Sequence, residues 1–146
     1  MTISAKSKYA VRALVELAER TADNGGRPVR LTEIARRRDI PLQFLEQVFA
    51  VLRRAGVLRS RRGASGGYVF ARPPQSVTVL DVVEALDGLV APASCTTGSC
   101  SRRDECGAAS VWFAAKAAVE QVLGGTTIAA LAERERQNGR QAMYHI

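Results

Sequence analysis

The sequence predicts a mainly α-helical fold with one small β-hairpin, in a chain of 146 residues. Three observations support this fold class. Apolar residues recur at helical spacing in several segments. A glycine-rich loop separates two short runs that are rich in strand-forming residues. Hydrophobic residues make up 47% and charged residues 24% of the chain, which is ordinary for a globular protein that packs its own core.

Three helices are predicted before residue 57. The first spans Ser4 to Arg20, the second is short, from Leu31 to Arg37, and the third spans Pro41 to Ala55. Each carries apolar residues at the spacing of one buried helix face. Gly56 stands where a helix is expected to stop. Asp39–Pro41 breaks the helical pattern, so we expect a turn there between the second and third helices.

A β-hairpin follows the third helix. Its predicted strands are Val57–Arg61 and Tyr68–Arg72, and the loop between them, residues 62–67, contains three glycines. Pro73 and Pro74 end this unit. Three helices followed by a hairpin predict a winged helix-turn-helix, which we assign to residues 1–75.

The second half of the chain is predicted to be helical around one loop. Thr78 and Asp81 have the spacing of a helix-capping pair, and Gly107–Leu123 carries an apolar stripe that predicts a long helix. The segments are a connecting helix at 76–89, a cysteine-containing loop at 90–106, the long helix and a short final helix at 107–132, and a flexible tail at 133–146. His145 is interpreted as an ordinary residue of that tail.

The positive charge of the chain is concentrated in its first half. The net charge is +7 overall. Residues 1–72 contain 15 Lys and Arg residues against 6 acidic ones, a net of +9, whereas residues 73–146 contain 6 against 8, a net of −2. A basic surface that coincides with a winged helix-turn-helix is typical of a nucleic-acid-binding protein. We find no apolar run long enough for a transmembrane helix and no signal-peptide core, and we expect a cytoplasmic protein.

The third helix and the hairpin supply the candidate DNA contacts. Glutamine side chains on the outer face of the helix suit adenine, and a glutamate there suits cytosine. Arginines at the helix end, together with Arg36, Arg37 and Arg38, suit phosphates, and the hairpin suits a minor groove. Exposed helix surface and turn geometry are the alternative explanations for the same residues. The predicted DNA contacts are Lys8, Gln43, Glu46, Gln47, Arg53, Arg54, Arg59, Arg61, Arg62, Ser65, Gly66 and Gly67.

These segments together resemble the IscR-type winged helix-turn-helix regulators, whose relatives include IscR, NsrR and CymR. The resemblance lies in Lys6–Leu14, Leu45–Phe49, Leu52–Val57, Arg62–Tyr68 and Thr126–Leu131, and it covers about residues 1–132. It implies a transcription regulator, and we expect a repressor, although the sequence does not distinguish a repressor from an activator. It also implies a homodimer, paired through the long dimerisation helix Gly107–Leu123, that binds a double-stranded DNA operator.

Three cysteines lie close together in the loop. Cys95, Cys100 and Cys106 have the spacing C-x4-C-x5-C, and such a cluster in a reducing compartment indicates metal or redox chemistry rather than a structural disulfide. The family resemblance implies that they are iron–sulfur cluster ligands and that the protein senses iron–sulfur status, redox state or nitric oxide. Both 2Fe–2S and 4Fe–4S clusters stay open, because no fourth ligand is identified.

Two other functions compete with this interpretation. One is a repressor of the same fold without a cluster, which responds to thiol oxidation or to a metabolite. The other is a thiol redox enzyme, and the sequence disfavours it, because there is no C-x-x-C motif and no histidine near the cysteines. The glycine-rich loop also lacks the Lys-Ser/Thr ending of a phosphate-binding loop. We therefore do not expect an enzyme.

Overall fold

The structure is a computed structural model that describes residues 1–98 and 100–144. Within those residues there are six α-helices, one 3₁₀ turn and a two-stranded antiparallel sheet. The predicted fold class is confirmed. In chain order the elements are α1 (Ala5–Asp23), α2 (Leu31–Arg38), α3 (Leu42–Arg54), β1 (Leu58–Arg61), β2 (Gly67–Phe70), α4 (Val79–Asp87), the 3₁₀ turn (Ser94–Thr96), α5 (Ala109–Gly124) and α6 (Ile128–Tyr144).

One apolar core holds the two halves of the chain together. Leu14 on α1 and Phe49 on α3 are fully buried, and Ile128 at the start of α6 belongs to the same cluster. The ring of Tyr68 on β2 meets the ring of Phe49 edge to face, with centroids 5.1 Å apart, an arrangement that aromatic pairs favour. The hairpin is therefore anchored on the third helix.

The helix boundaries agree with the predicted segments in most places. Thr78 accepts a hydrogen bond from the Asp81 amide, and the Asp81 carboxylate accepts one from the Thr78 amide, so the expected capping pair begins α4. The first helix continues to Asp23, beyond the predicted end at Arg20. The second strand ends at Phe70 rather than at Arg72. The Arg72 guanidinium instead donates a hydrogen bond of 3.2 Å to the Asp81 carboxylate.

The expectation of a flexible tail at 133–146 is wrong for the part that the structure describes. Helix α6 runs on to Tyr144 and packs along α1. Its Glu135 carboxylate accepts hydrogen bonds from Arg38, and Arg136 pairs with Asp23 at 3.4 Å. Polar contacts to other helices, rather than a broad apolar face, hold this segment. His145, expected to be an ordinary tail residue, lies outside the described residues.

Candidate nucleic-acid interface and cysteine loop

The outer face of α3 carries the side chains predicted to reach DNA bases. Leu45, Val48, Phe49 and Leu52 are buried on one side of this helix. Gln43, Glu46 and Gln47 are exposed on the other side, as are Arg53 and Arg54 at its end. The helix thus presents polar groups while its apolar face is fixed in the core, which is the arrangement that a recognition helix needs.

The hairpin forms an exposed basic wing beside α3. Its strands pair in the register Leu58↔Phe70 and Arg61↔Gly67. Leu58 is buried, whereas Arg59, Ser60 and Arg61 are exposed, as are Arg62 and Ser65 in the loop. An open depression of about 370 Å³ lies between the wing and α3, and its lining includes Glu46 and Arg61. Of the predicted contacts, Glu46 on α3 and Arg61, Gly66 and Gly67 on the wing therefore line one concave surface.

Two of the predicted wing contacts have a packing role. A Cβ atom on Gly66 would lie 2.3 Å from the Arg61 carbonyl oxygen, and one on Gly67 would lie 2.4 Å from the Val29 carbonyl oxygen. Gly67 also has a φ of +145°, a conformation that other residues rarely adopt. The backbone geometry alone explains both glycines. Their contact with DNA stays a prediction.

The wing is also tied to the segment that precedes α2. Val29 and Tyr68 exchange two backbone hydrogen bonds, of 3.0 and 2.8 Å. The Arg30 guanidinium donates a hydrogen bond to the Ala64 carbonyl at the tip of the wing. Sequence reasoning missed this role of Arg30, because the contact joins residues 34 positions apart and no local pattern marks it.

The three consecutive arginines at the end of α2 divide between two roles. Arg36 is exposed and is available for a phosphate. Arg37 lies 3.6 Å from Glu33 and 3.7 Å from Glu16. Arg38 is only 15% exposed and pairs with Glu16 at 3.1 Å. The expectation that all three arginines touch phosphates is therefore corrected for Arg38, whose guanidinium is occupied by ion pairs with Glu16, Glu19 and Glu135.

The start of α1 is joined to the end of α4 through one carboxylate. Asp87 accepts hydrogen bonds from the Ser4 amide at 3.0 Å, the Ser4 hydroxyl at 2.5 Å and the Ser7 hydroxyl at 2.8 Å. Burial acts to raise the pKa of Asp87, but these hydrogen bonds outweigh it and lower the pKa below its ordinary value. Lys8, a predicted DNA contact, is exposed in this part of α1.

The three cysteines occupy the exposed connection between α4 and α5. Cys95 is half-buried in the 3₁₀ turn, Cys100 and Cys106 are exposed, and all three are free thiols. The Arg103 guanidinium lies 4.3 Å from the centroid of the Phe113 ring, which fastens this loop to α5. Three thiols fit an iron–sulfur cluster by donor chemistry. In the part of the chain that the structure describes, however, no three His, Cys, Asp or Glu side chains converge to hold a metal ion.

Helix α5 presents apolar side chains to solvent. Val111, Trp112 and Val122 are 57%, 42% and 66% exposed. None of its residues is buried, although the helix is rich in alanine and valine. Large apolar side chains that stay exposed are unusual enough to make α5 a candidate interaction face. Within residues 1–98 and 100–144, no helix has the length and apolar content to cross a membrane.

A family model described as "Rrf2: Iron-dependent Transcriptional regulator" matches residues 3–134. The chain belongs to the Rrf2 family. The Rrf2-family regulator CymR of Bacillus subtilis is 32% identical over 100% of both chains. IscR of Cereibacter sphaeroides is 44% identical over 62% of this chain and 57% of its own. An rrf2-like regulator of Rhodobacter capsulatus is 40% identical over 66% of this chain and 65% of its own. The match thus spans less than two thirds of the last two relatives.

Solved structures of CymR and IscR share this fold over about nine tenths of the chain. The structure of CymR from B. subtilis has a TM-score of 0.76 at 31% identity and covers 92% of this chain and 98% of its own. IscR from T. potens has a TM-score of 0.70 at 36% identity, with 92% and 88% covered. An oxidized form of CymR from Staphylococcus aureus has a TM-score of 0.69 at 31% identity, with 91% and 97% covered. The family model and the curated relatives are named as transcriptional regulators, not enzymes, in agreement with the expectation from the sequence.

Proposed function

We propose that this Rrf2-family chain is a homodimeric, DNA-binding repressor whose affinity for its operator is set by an iron–sulfur cluster on the cysteine loop. The observation that carries the proposal is the placement of three free thiols on the exposed segment between α4 and α5. That segment joins the half that bears the basic wing to the apolar helix α5. A change in this loop can therefore alter how two recognition helices are spaced in a dimer.

The proposed DNA contacts divide by chemistry. Gln43, Glu46 and Gln47 face base edges in the major groove, where amide and carboxylate groups discriminate between bases. Arg53, Arg54, Arg59 and Lys8 contact phosphates. Arg61 and Arg62, with Ser65, bring the wing to the minor groove. The exposure of these side chains supports this assignment, and so does the depression that Glu46 and Arg61 line together.

Salt dependence tests the wing assignment. Each arginine that neutralises phosphate charge, whether it lies against the backbone or in the minor groove, contributes about 0.9 to the magnitude of the slope of log affinity against log salt. The double variant Arg61→Gln/Arg62→Gln should therefore lower it by nearly two in a fluorescence anisotropy titration. The matched control is Arg134→Gln/Arg140→Gln, which removes the same charge from exposed positions of α6. Equal slopes for the two double variants would contradict the assignment.

The proposed dimer forms through α5. The exposed side chains of Val111, Trp112 and Val122 supply apolar area that pairing would remove from water. Val122→Glu should shift the chain from dimer to monomer in sedimentation velocity, whereas Gln121→Glu, at the neighbouring exposed position, should not. A monomeric wild-type chain at micromolar concentration would overturn this part of the proposal.

Cys95, Cys100 and Cys106 would hold the cluster. When bound, such a cluster supplies a redox-active and nitric-oxide-sensitive group; the coordination geometry and the fourth ligand are left open. Protein purified without oxygen should contain iron and sulfide in equal amounts and should absorb visible light. Cys100→Ala should lose this absorption and the redox dependence of operator binding, and Ser101→Ala should keep both. A colourless, iron-free protein would refute the cluster.

A second candidate is a thiol switch without a cluster. The exposed free thiols favour it, and so does the absence of a three-ligand site among the described residues. The similarity to an oxidized form of CymR supports it too. In this case iron-free protein treated with peroxide should form a disulfide between two of the three cysteines, which peptide mass spectrometry identifies. Its DNA affinity should change at the same time. Unchanged thiols after that treatment would exclude it.

A further inference from the structure

The middle of α6 is hydrogen-bonded to the last residue of α2. The Arg38 guanidinium donates from Nη1 and Nη2 to the two carboxylate oxygens of Glu135, at 3.2 and 2.7 Å. Two parallel bonds of this kind fix the orientation of both groups as well as their distance. The contact joins residues 97 positions apart. Glu135 also lies just beyond the stretch that the family model matches.

Arg38 is fixed from a second side by α1. Its Nε donates to the Glu16 carboxylate at 3.2 Å, and its Nη2 lies 3.5 Å from the Glu19 carboxylate. Its backbone carbonyl accepts a hydrogen bond of 3.1 Å from the Arg12 guanidinium. The side chain and the backbone of Arg38 are therefore both held, and the end of α2 is tied to α1 and to α6 at once.

The position of Arg38 gives this junction a direct link to the recognition helix. Arg38 is the last residue of α2, and Asp39 after it has the left-handed conformation, with φ 51° and ψ 51°. The Ile40 amide then donates to the Ala35 carbonyl at 3.0 Å, and α3 begins at Leu42. These few residues form the turn that determines the angle between α2 and α3.

We propose that Glu135 is a positioning residue for DNA recognition, which acts through Arg38 to hold the turn between α2 and α3. The C-terminal helix then determines how α3 is presented to DNA. This inference rests on the proposed function, because it concerns the helix proposed to read the operator. Glu16 and Glu19 still neutralise Arg38 when Glu135 is replaced, so the variant is expected to fold.

The test compares two neighbouring positions of α6. Glu135→Gln removes the bond to α2, whereas the control Arg136→Gln removes bonds to α1 alone, to the Glu19 carbonyl and to Asp23, each at 3.4 Å. The first readout needs no DNA. Hydrogen exchange of the Ile40 amide should be faster in Glu135→Gln and unchanged in Arg136→Gln. Glu135→Asp, which keeps the charge, should recover part of the protection.

The second readout is affinity for a DNA duplex selected by the wild-type chain from a random pool. Glu135→Gln should weaken binding about fivefold, the low end of typical coupling between sites, and Arg136→Gln should stay within about twofold, as for an exposed pair. The inference would be overturned if Glu135→Gln and Arg136→Gln changed the hydrogen exchange of the Ile40 amide and the DNA affinity equally, or if neither variant changed them. A wild-type chain that selects no duplex would overturn the proposed function instead, and the exchange experiment would still decide the role of Glu135.

Discussion

Three glycines of the wing allow backbone strain and steric clash to be separated by single substitutions to alanine. At Gly63 the φ angle is +103° and the space for a Cβ is open. At Gly66 the φ angle is ordinary, but a Cβ would meet the Arg61 carbonyl at 2.3 Å. At Gly67 both problems occur, with φ at +145° and a Cβ 2.4 Å from the Val29 carbonyl.

The expected costs follow from these geometries. Gly63→Ala should lower the free energy of unfolding by about 1 kcal/mol, the cost of a side chain in this backbone region. Gly66→Ala should cost about 1 to 3 kcal/mol, as for overpacking. Gly67→Ala should cost the most. The clash can be relieved by separating Val29 from Tyr68, which loses two hydrogen bonds at about 1 kcal/mol each, so we expect a total near 3 kcal/mol.

Urea unfolding followed by circular dichroism measures the three variants under one set of conditions. The expected order of stability is wild type, Gly63→Ala, Gly66→Ala and Gly67→Ala. Hydrogen exchange of the Tyr68 amide, which donates to the Val29 carbonyl at 2.8 Å, should rise only in Gly67→Ala. If Gly67→Ala proved as stable as Gly63→Ala, the close approach between the wing and Val29 would be refuted.

Three further predictions concern side chains. Arg30→Ala should weaken DNA binding several-fold at nearly constant stability, because it releases the wing tip at Ala64. Fluorescence anisotropy titrations would measure this, with Arg27→Ala as the control, since Arg27 is hydrogen-bonded to nearby Asn24. Because the pKa of Asp87 is lower in the folded than in the unfolded state, its carboxylate stabilises the folded state above about pH 4. This stabilisation is lost as the pH falls through the pKa of Asp87 in the folded state. Asp87→Asn should therefore flatten the acid loss of stability in urea titrations between about pH 2 and 7. Burial is the largest cause of the raised pKa of Glu19, which disfavours its ionised form in the fold, so Glu19→Gln should raise the urea midpoint at pH 7. A lower midpoint would contradict this sign.

Local signals in the sequence predicted much of the fold. The apolar periodicity of the α3 segment and the capping pair of Thr78 and Asp81 are properties of neighbouring residues, and both led to the right elements. The polar face of α3 followed from the same periodicity, since burying one side of a helix exposes the other. The exposed candidates on this helix could therefore be predicted without a structure.

The missed features depend on residues far apart in the chain. Residues 133–144 contain few apolar side chains and a glycine, so their helix was not predicted; its contacts are with Arg38 and Asp23, more than a hundred residues away in one case. Gly67 was assigned to the hairpin loop rather than to the second strand, and its close approach to Val29 was not predicted because Val29 lies in another segment. For the cysteines, the sequence reveals the spacing directly. It does not reveal whether the three thiols converge on one metal cluster, because that depends on how the loop folds.

The shared core has a consequence for how this protein can be divided. Val77, Val82 and Ile128 belong to the same apolar cluster as Leu14 and Leu45. The hydrophobic core of the winged part therefore continues past Pro73 and Pro74 into the second half of the chain. A fragment cut there would expose apolar faces of α1 and α3 to water. The winged helix-turn-helix part therefore cannot be moved into another protein alone. A chimera that contains it must also contain α4 and α6.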